Sequence, residues 1–271
     1  KNFEKNLLID KSAQISLVAN AVSGSKGSIG SAYLTAIVSD FATELRTKDM
    51  PRIPVGFMPI IQILTHNRFN IYLRYTIFMV PALMVMILTM LSGFLPALNI
   101  VGEKEAGTME QINVTPVPRF LFIYAKLAPY WIIGFFVLTT SITIAYVVYG
   151  LIPAGPISTL YMFAGIYILS VSGLGLLISN YSDTLQQAMF VMFFFMLIMI
   201  LVSGLFTPVQ SMPVWAQRLT LINPLKHFVD VMRMVYLKGS SILEMPRQLI
   251  ALGSFAVLFN TWAILSYKKK N

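Results

Sequence analysis

Three glutamates and a lysine fall within eight residues of one another in the run NIVGEKEAGTMEQINVTPVPR, positions 99–119. Wound as a helix at about 100° per residue, Glu103, Lys104, Gly107, Glu110 and Gln111 share one face. Ala106, Met109 and Ile112 share the other, with Glu105 beside them. Thr115-Pro116-Val117-Pro118 then stops the helix, because the residue before a proline is driven out of the α region. A helix lying on a membrane surface favours Lys and Arg on its polar face. Three glutamates fit a protein partner better. Glu105, on the apolar side, is costly there unless it meets a basic or hydrogen-bonding group.

Little else in the sequence carries chemistry. There are two histidines, His66 and His227, and no cysteine. The absence of cysteine excludes disulfides, thiolate metal sites, iron–sulfur clusters and cysteine nucleophiles. No HExxH, no GxSxG and no clustered Asp/His pattern occurs. The stretch Gly24-Ser-Lys26-Gly27-Ser-Ile-Gly30 lacks the Lys-Ser/Thr ending of a phosphate loop, and a flexible turn before a helix accounts for it. The sequence therefore points to no catalytic, metal or cofactor site on this chain.

The elements that position these residues are set by where charge is missing. The chain is 56% hydrophobic and 11% charged, against about 25% charged in a typical soluble domain, and its formal net charge is +9. No charged residue lies between Arg74 and Glu103, Lys126 and Asp183, Asp183 and Arg218, or Arg247 and Lys268. A helix needs roughly 20 apolar residues to cross the hydrocarbon core. With a Pro/Gly turn at 150–156, these gaps hold five spans, near Phe78–Leu98, Ala128–Tyr149, Ile157–Ile178, Gln187–Phe206 and Gln248–Tyr267. No charge lies in the middle of any span, which argues against a transporter or pump that couples through intramembrane carboxylates. Thr139, Thr140, Ser141 and Asn260 remain as polar groups that could bind an ion. The positive charge is spread over separate segments and makes no nucleic-acid footprint.

The tail Lys268-Lys269-Lys270 follows the last span, and positive charge flanking a span favours the cytoplasm. This places the C-terminus and residues 99–126 inside, and residues 1–74 outside. Residues 1–74 read as a small extracytoplasmic α/β domain: a strand at Leu7–Ile9, an amphipathic helix over Ser28–Arg46 and an irregular edge strand over Ile53–Leu64. The chain starts at Lys1 rather than Met, so a preceding sixth span and a truncated N-terminus are expected. Residues 207–247 read as interfacial helices on the outer side, near Trp215–Ile222 and Leu225–Lys238. The fold class is thus mainly α, a polytopic helical membrane protein, with residues 75–271 as its transmembrane domain.

The string EKEAGTMEQINVTPVPR, 103–119, resembles the signature E-x-E-x-G-T-x-E-x-[LI]-x-x-[TS]-P-[VI] of permease subunits of bacterial ABC-2-type ABC exporters. It matches at Glu103, Glu105, Gly107, Thr108, Glu110, Ile112, Thr115 and Pro116. RFNIYLRYTIFMVPALM, SGLGLLISNYSDTLQQAM, SGLFTPVQSMPVWAQ and INPLKHFVDVMRMVYLKG fit as well, so the resemblance covers 67–271 well and 1–66 loosely. The family often has Pro-Gly where this chain has Pro81-Ala82. The resemblance implies the subgroup with a large external loop after the first span, and a multi-pass protein of the bacterial inner membrane. It implies a second permease subunit, identical or not, and two copies of an ATPase subunit that binds ATP on a separate chain. A periplasmic adaptor and outer-membrane channel are further expected partners. It implies a coupling helix at 103–113 with Glu103, Glu105, Gly107, Thr108 and Glu110 as its coupling residues, Gly107 allowing close backbone approach. The function implied is export of a hydrophobic, drug- or lipid-like substrate. The competing reading from residues alone is an ATP-independent sensor or scaffold acting through residues 1–74.

Overall fold

The computed structural model describes residues 24–49, 75–108 and 118–267. The chain divides into two compact units, Lys1–Leu73 and Arg74–Asn271. In the first, α1 (Gly24–Asp49) contains the amphipathic helix expected over Ser28–Arg46. It also absorbs the glycine stretch at 24–30, which is helical rather than a turn. The strands expected at Leu7–Ile9 and Ile53–Leu64, and His66, lie outside the described residues. No strand occurs among the described residues, so only the helical part of the α/β reading has structural support.

The second unit is a bundle of α2 (Tyr75–Glu105), α3 (Arg119–Tyr149), α4 (Ile157–Tyr181) and α5 (Leu185–Val202), followed by the shorter α6 (Val214–Thr220) and α7 (Pro224–Arg233) and then α8 (Pro246–Ser266). Five of these, α2, α3, α4, α5 and α8, are long and apolar enough to cross a membrane. The five expected spans are therefore present, and α2 runs well beyond its expected end. The Gly/Pro cluster at 150–156 ends α3 as read. Gly150 adopts φ 63°, and its N–H bonds back to the carbonyls of Ala145 and Tyr146, the glycine helix stop that only a residue without Cβ enters freely.

Helix α4 is the centre. Of its most apolar stretch 78% is buried, against 17% in α3 and in α8 and 22% in α5. Glycine lets α2 come close to it: a Cβ on Gly175 would sit 2.4 Å from the Gly93 carbonyl oxygen. Small residues at such crossings are how helices in lipid gain packing, since no hydrophobic force drives them together there. Polar side chains tie the remaining helices. Trp131 Nε1 donates to Ser172 Oγ at 3.0 Å. Asn260 Nδ2 donates to the Leu169 carbonyl at 2.9 Å, and Asn180 Nδ2 donates to the Ala263 carbonyl and to Ser266 Oγ, each at 2.8 Å. Asn260 thus joins α8 to α4, while Thr139 and Thr140 bond back to the carbonyls of Phe135 and Phe136.

Residues 207–247 hold helices at Val214–Thr220 and over 224–238, close to the two expected near Trp215–Ile222 and Leu225–Lys238. One broad face of α7 is buried: Leu225, Phe228, Val229, Val231 and Met232 are all 0% exposed, while Lys226, His227, Asp230 and Arg233 on the other face are partly exposed. The Phe228 ring stacks on Tyr167 of α4, centroids 4.4 Å apart. Asn223 caps the helix by accepting from Leu225 N at 3.0 Å, with Pro224 at the first helical position, a placement that sacrifices no intrahelical bond. The apolar face Leu225/Phe228/Val229/Met232/Tyr236 is legible in the sequence, and all five residues are buried. A tight backbone contact fixes the exit of this segment, where Gly155 N donates to the Val235 carbonyl at 3.0 Å.

Candidate functional site at the end of α2

Helix α2 continues past its membrane-length core through Glu105. Glu103, Lys104 and Glu105 form its last turn, and residues 109–113 of the coupling helix expected over 103–113 lie outside the described residues. The break comes at Gly107, which has φ +74°, and no other atom lies within 4 Å of where a Cβ on it would stand. Gly107 is therefore a left-handed helix stop with open space where a Cβ would stand. Thr108 Oγ1 donates back to the Glu103 carbonyl at 3.0 Å, satisfying one of the carbonyls that a helix end leaves without a partner. Glu110 lies outside the described residues.

The charged side chains of this last turn reach three other elements. Both carboxylate oxygens of Glu103 accept from Lys126 Nζ of α3. Lys104 Nζ donates to the Ser182 carbonyl at 2.8 Å and pairs with Asp183 at 2.8 Å, both in the turn between α4 and α5. Glu105 Oε2 accepts from Leu185 N, the first residue of α5, at 2.9 Å. The hydrogen-bonding group that Glu105 needed is thus a helix N-terminus, where backbone N–H groups and the helix dipole both favour a carboxylate. Thr184 completes the start of α5 by accepting from Gln187 N at 3.2 Å, and Gln187 Oε1 accepts from Asp183 N at 3.0 Å.

Beside these contacts is an open recess of about 610 Å³, lined by Leu95, Leu98, Asn99, Glu103, Tyr130 and Leu185 among others. No group of three metal-ligating side chains occurs among the described residues. The arrangement fastens one helix end, which carries a glycine stop, to α3, to the α4–α5 turn and to α5. Of the five residues singled out in the sequence, Glu103, Glu105, Gly107 and Thr108 are placed at this end. Their partners Lys126, Ser182, Asp183 and Leu185 are not singled out there, although Lys126 and Asp183 stand out as charges bounding charge-free stretches.

The family model for "ABC-2 family transporter protein" matches residues 1–265. This chain belongs to that family. Among curated relatives, it is 34% identical over 242 residues to the probable multidrug ABC transporter permease YbhR of Escherichia coli K12, covering 89% of this chain and 64% of the relative. It is 28% identical over 218 residues to the probable multidrug ABC transporter permease YbhS of the same organism, covering 79% and 57%. It is 24% identical over 272 residues to the inner membrane transport permease YhhJ, covering 99% and 71%. The chain thus spans less than two thirds of the length of YbhR and YbhS. No solved structure matches. It is thus an ABC-2 family chain with five helices long and apolar enough to cross a membrane.

Proposed function

We propose that the chain is the membrane-spanning permease subunit of an ATP-driven exporter in the bacterial inner membrane. A separate ATPase subunit, in two copies, binds and hydrolyses the ATP, and a second permease subunit completes the path. The names of the relatives YbhR and YbhS favour drug-like cargo. The observation that carries the reading is the triply fastened end of α2. The segment that follows Gly107 bears the family's remaining acidic residue, Glu110, and leaves a helix end that has no slack of its own. Displacement of that segment by an ATPase partner is passed to α3, to the α4–α5 turn and to α5 together. A partner shifts such an equilibrium only by contacting its two states differently, and Glu110 is the residue proposed to make that differential contact.

The test is co-purification of the full-length protein with an ATPase subunit encoded beside it, followed by charge reversal. Glu110→Lys is expected to abolish substrate transport while leaving the thermal unfolding midpoint of the permease unchanged. Full ATP-dependent transport by Glu110→Lys would remove that residue from the coupling role. A folded full-length permease that binds no ATPase would favour the sensor or scaffold reading.

A further inference from the structure

Helix α5 is attached in an unusual way. Along its length only Ala188, Met192, Met196, Met199 and Ile200 are buried, a single narrow stripe. Phe190, Phe193, Phe194, Leu197 and Leu201 are exposed. Its ends, in contrast, are gripped by charged and polar groups from elsewhere in the fold. At the N-terminus Glu105 accepts from Leu185 N. At the C-terminus Arg233, in the last turn of α7, donates to the carbonyls of Gly204 and Leu205 at 3.1 and 3.4 Å. Its guanidinium also lies 3.7 Å from the centroid of the Phe78 ring. Asn223 Nδ2 donates to the Met199 carbonyl at 2.7 Å. An acid at the N-terminus and a base at the C-terminus is the arrangement the helix dipole favours.

The middle of α5 rests on a different kind of contact. A Cβ at Gly93 of α2 would lie 2.5 Å from the Met192 methyl and 2.9 Å from the Met196 methyl, so these two side chains fill the notch that the glycine leaves. Methionine has three rotatable side-chain bonds and adapts its shape to a changing surface at small cost. A notch filled by two methionines tolerates a change of angle. Polar bonds at the ends are short and directional and do not.

We propose that Glu105 and Arg233 are positioning residues that hold α5 by its two ends, so that the helix rocks as one rigid strut on its Met192/Met196 contact with Gly93. Displacement of the Glu105 end is thereby carried to the Arg233 end and to α7, which is buried against Tyr167 in the core. The two ends are about 27 Å apart at the helical rise per residue, far beyond the separation at which side chains normally influence one another. The transmission role rests on the transport reading above; the holding of α5 by its ends does not.

The test uses spin-label distances in the full-length protein in lipid nanodiscs, with no ATPase present. This chain contributes no cysteine, and any in the rest of the protein is replaced by serine. One pair, Phe120→Cys with Gln186→Cys, reports the Glu105 end. The other, Tyr149→Cys with Phe206→Cys, reports the Arg233 end. All four positions are exposed. Glu105→Ala is expected to shift both distance distributions. Glu105→Gln, which keeps a carbonyl acceptor for Leu185 N, is expected to restore most of both, and it reads the same question if the alanine variant does not fold. Arg233→Gln is expected to shift both pairs from the other end. A shift of the near pair alone in Glu105→Ala, or of neither, overturns the proposal. Because no transport is measured, failure of the exporter reading leaves this result standing, and failure here leaves that reading intact.

Discussion

Glu103 and Lys126 have side chains about one quarter exposed, 26% and 25%. At that depth an ion pair is screened less than on an open surface, and losing one partner leaves the other poorly solvated. Glu103→Gln or Lys126→Ala is expected to destabilise the bundle by about 1–3 kcal/mol, the range for hydrogen bonds to charged groups, read as a lower unfolding midpoint in detergent. The double variant is expected to cost less than the sum of the two. Charge reversal at Glu103 therefore damages the permease itself, and Glu110 is the cleaner probe of coupling. His227 carries a second expectation. Burial lowers the pKa of its imidazole, opposed by its bond to the Leu221 carbonyl at 3.0 Å; Lys226 lowers it further and Asp230 raises it. A depressed folded pKa means that the unfolded chain binds the proton more readily, so stability rises with pH there. The contribution is whole above the ordinary value of 6.5 and is lost as pH falls from there through the folded pKa. His227→Gln is expected to flatten the acid-side loss of stability in that window. At this scale the acids were legible because clusters stand out against an apolar sequence, whereas pairing across 23 residues (Glu103 with Lys126) or 80 residues (Glu105 with Leu185) depends on tertiary structure that no local spacing encodes.

Among the elements, glycines with the same helical backbone give opposite expectations. Gly175→Ala would press a methyl to 2.4 Å from the Gly93 carbonyl oxygen, and backbone cannot swing aside as a side-chain tip can. The substitution is expected to cost about 1–3 kcal/mol or more, the range for overpacking, by parting α2 from α4. Gly253 in α8 has nothing within 4 Å of its would-be Cβ. Gly253→Ala is expected to stabilise by about 0.5–1 kcal/mol, since alanine fixes less backbone entropy in a helix. Thermal unfolding of both variants side by side checks the contrast, and a destabilised Gly253→Ala would refute the second half. The membrane-length helices were legible because length and absence of charge are local properties. The limit of α2 is not: periodicity over 103–113 does not show that Glu103–Glu105 continue α2, and the break after them appears only in the positive φ of Gly107. Nor does the polar spacing of α7 show where its partly exposed charges turn, because a charged residue on a helix face reads as solvent-facing until its partner is known. Lys226 finds Asp230 at 3.1 Å on its own helix, while Arg233 turns to carbonyls beyond the end of α5.

For the molecule as a whole, helix parity and polar ties place charge on one side or the other of the bundle. Asn180, at the end of α4, is bonded to the end of α8 through Ala263 and Ser266, so α8 ends on the side of the α4–α5 turn. Lys104 bonds to that same turn, which puts the end of α2 there too. Lys104, Lys126 and the start of α3 at Arg119 therefore share that side, and in the sequence Lys268-Lys269-Lys270 follows the end of α8 directly. The other side carries Arg218, Lys226, Arg233, Lys238 and Arg247, a nearly equal number. The orientation rule counts Lys and Arg close to the span ends and gives little weight to acids, so the compact lysine tail directly after α8 tips the balance toward the cytoplasm for the Glu103 side. The expected outcome is that Thr108→Cys, exposed just beyond Gly107, is blocked by a membrane-impermeant maleimide only in inverted vesicles. Trp215→Cys, 67% exposed in α6, is expected to be blocked only in intact cells made permeable at the outer membrane. Labelling of Thr108→Cys from outside would invert the topology, and no ATPase in the cytoplasm could then reach the segment that carries Glu110.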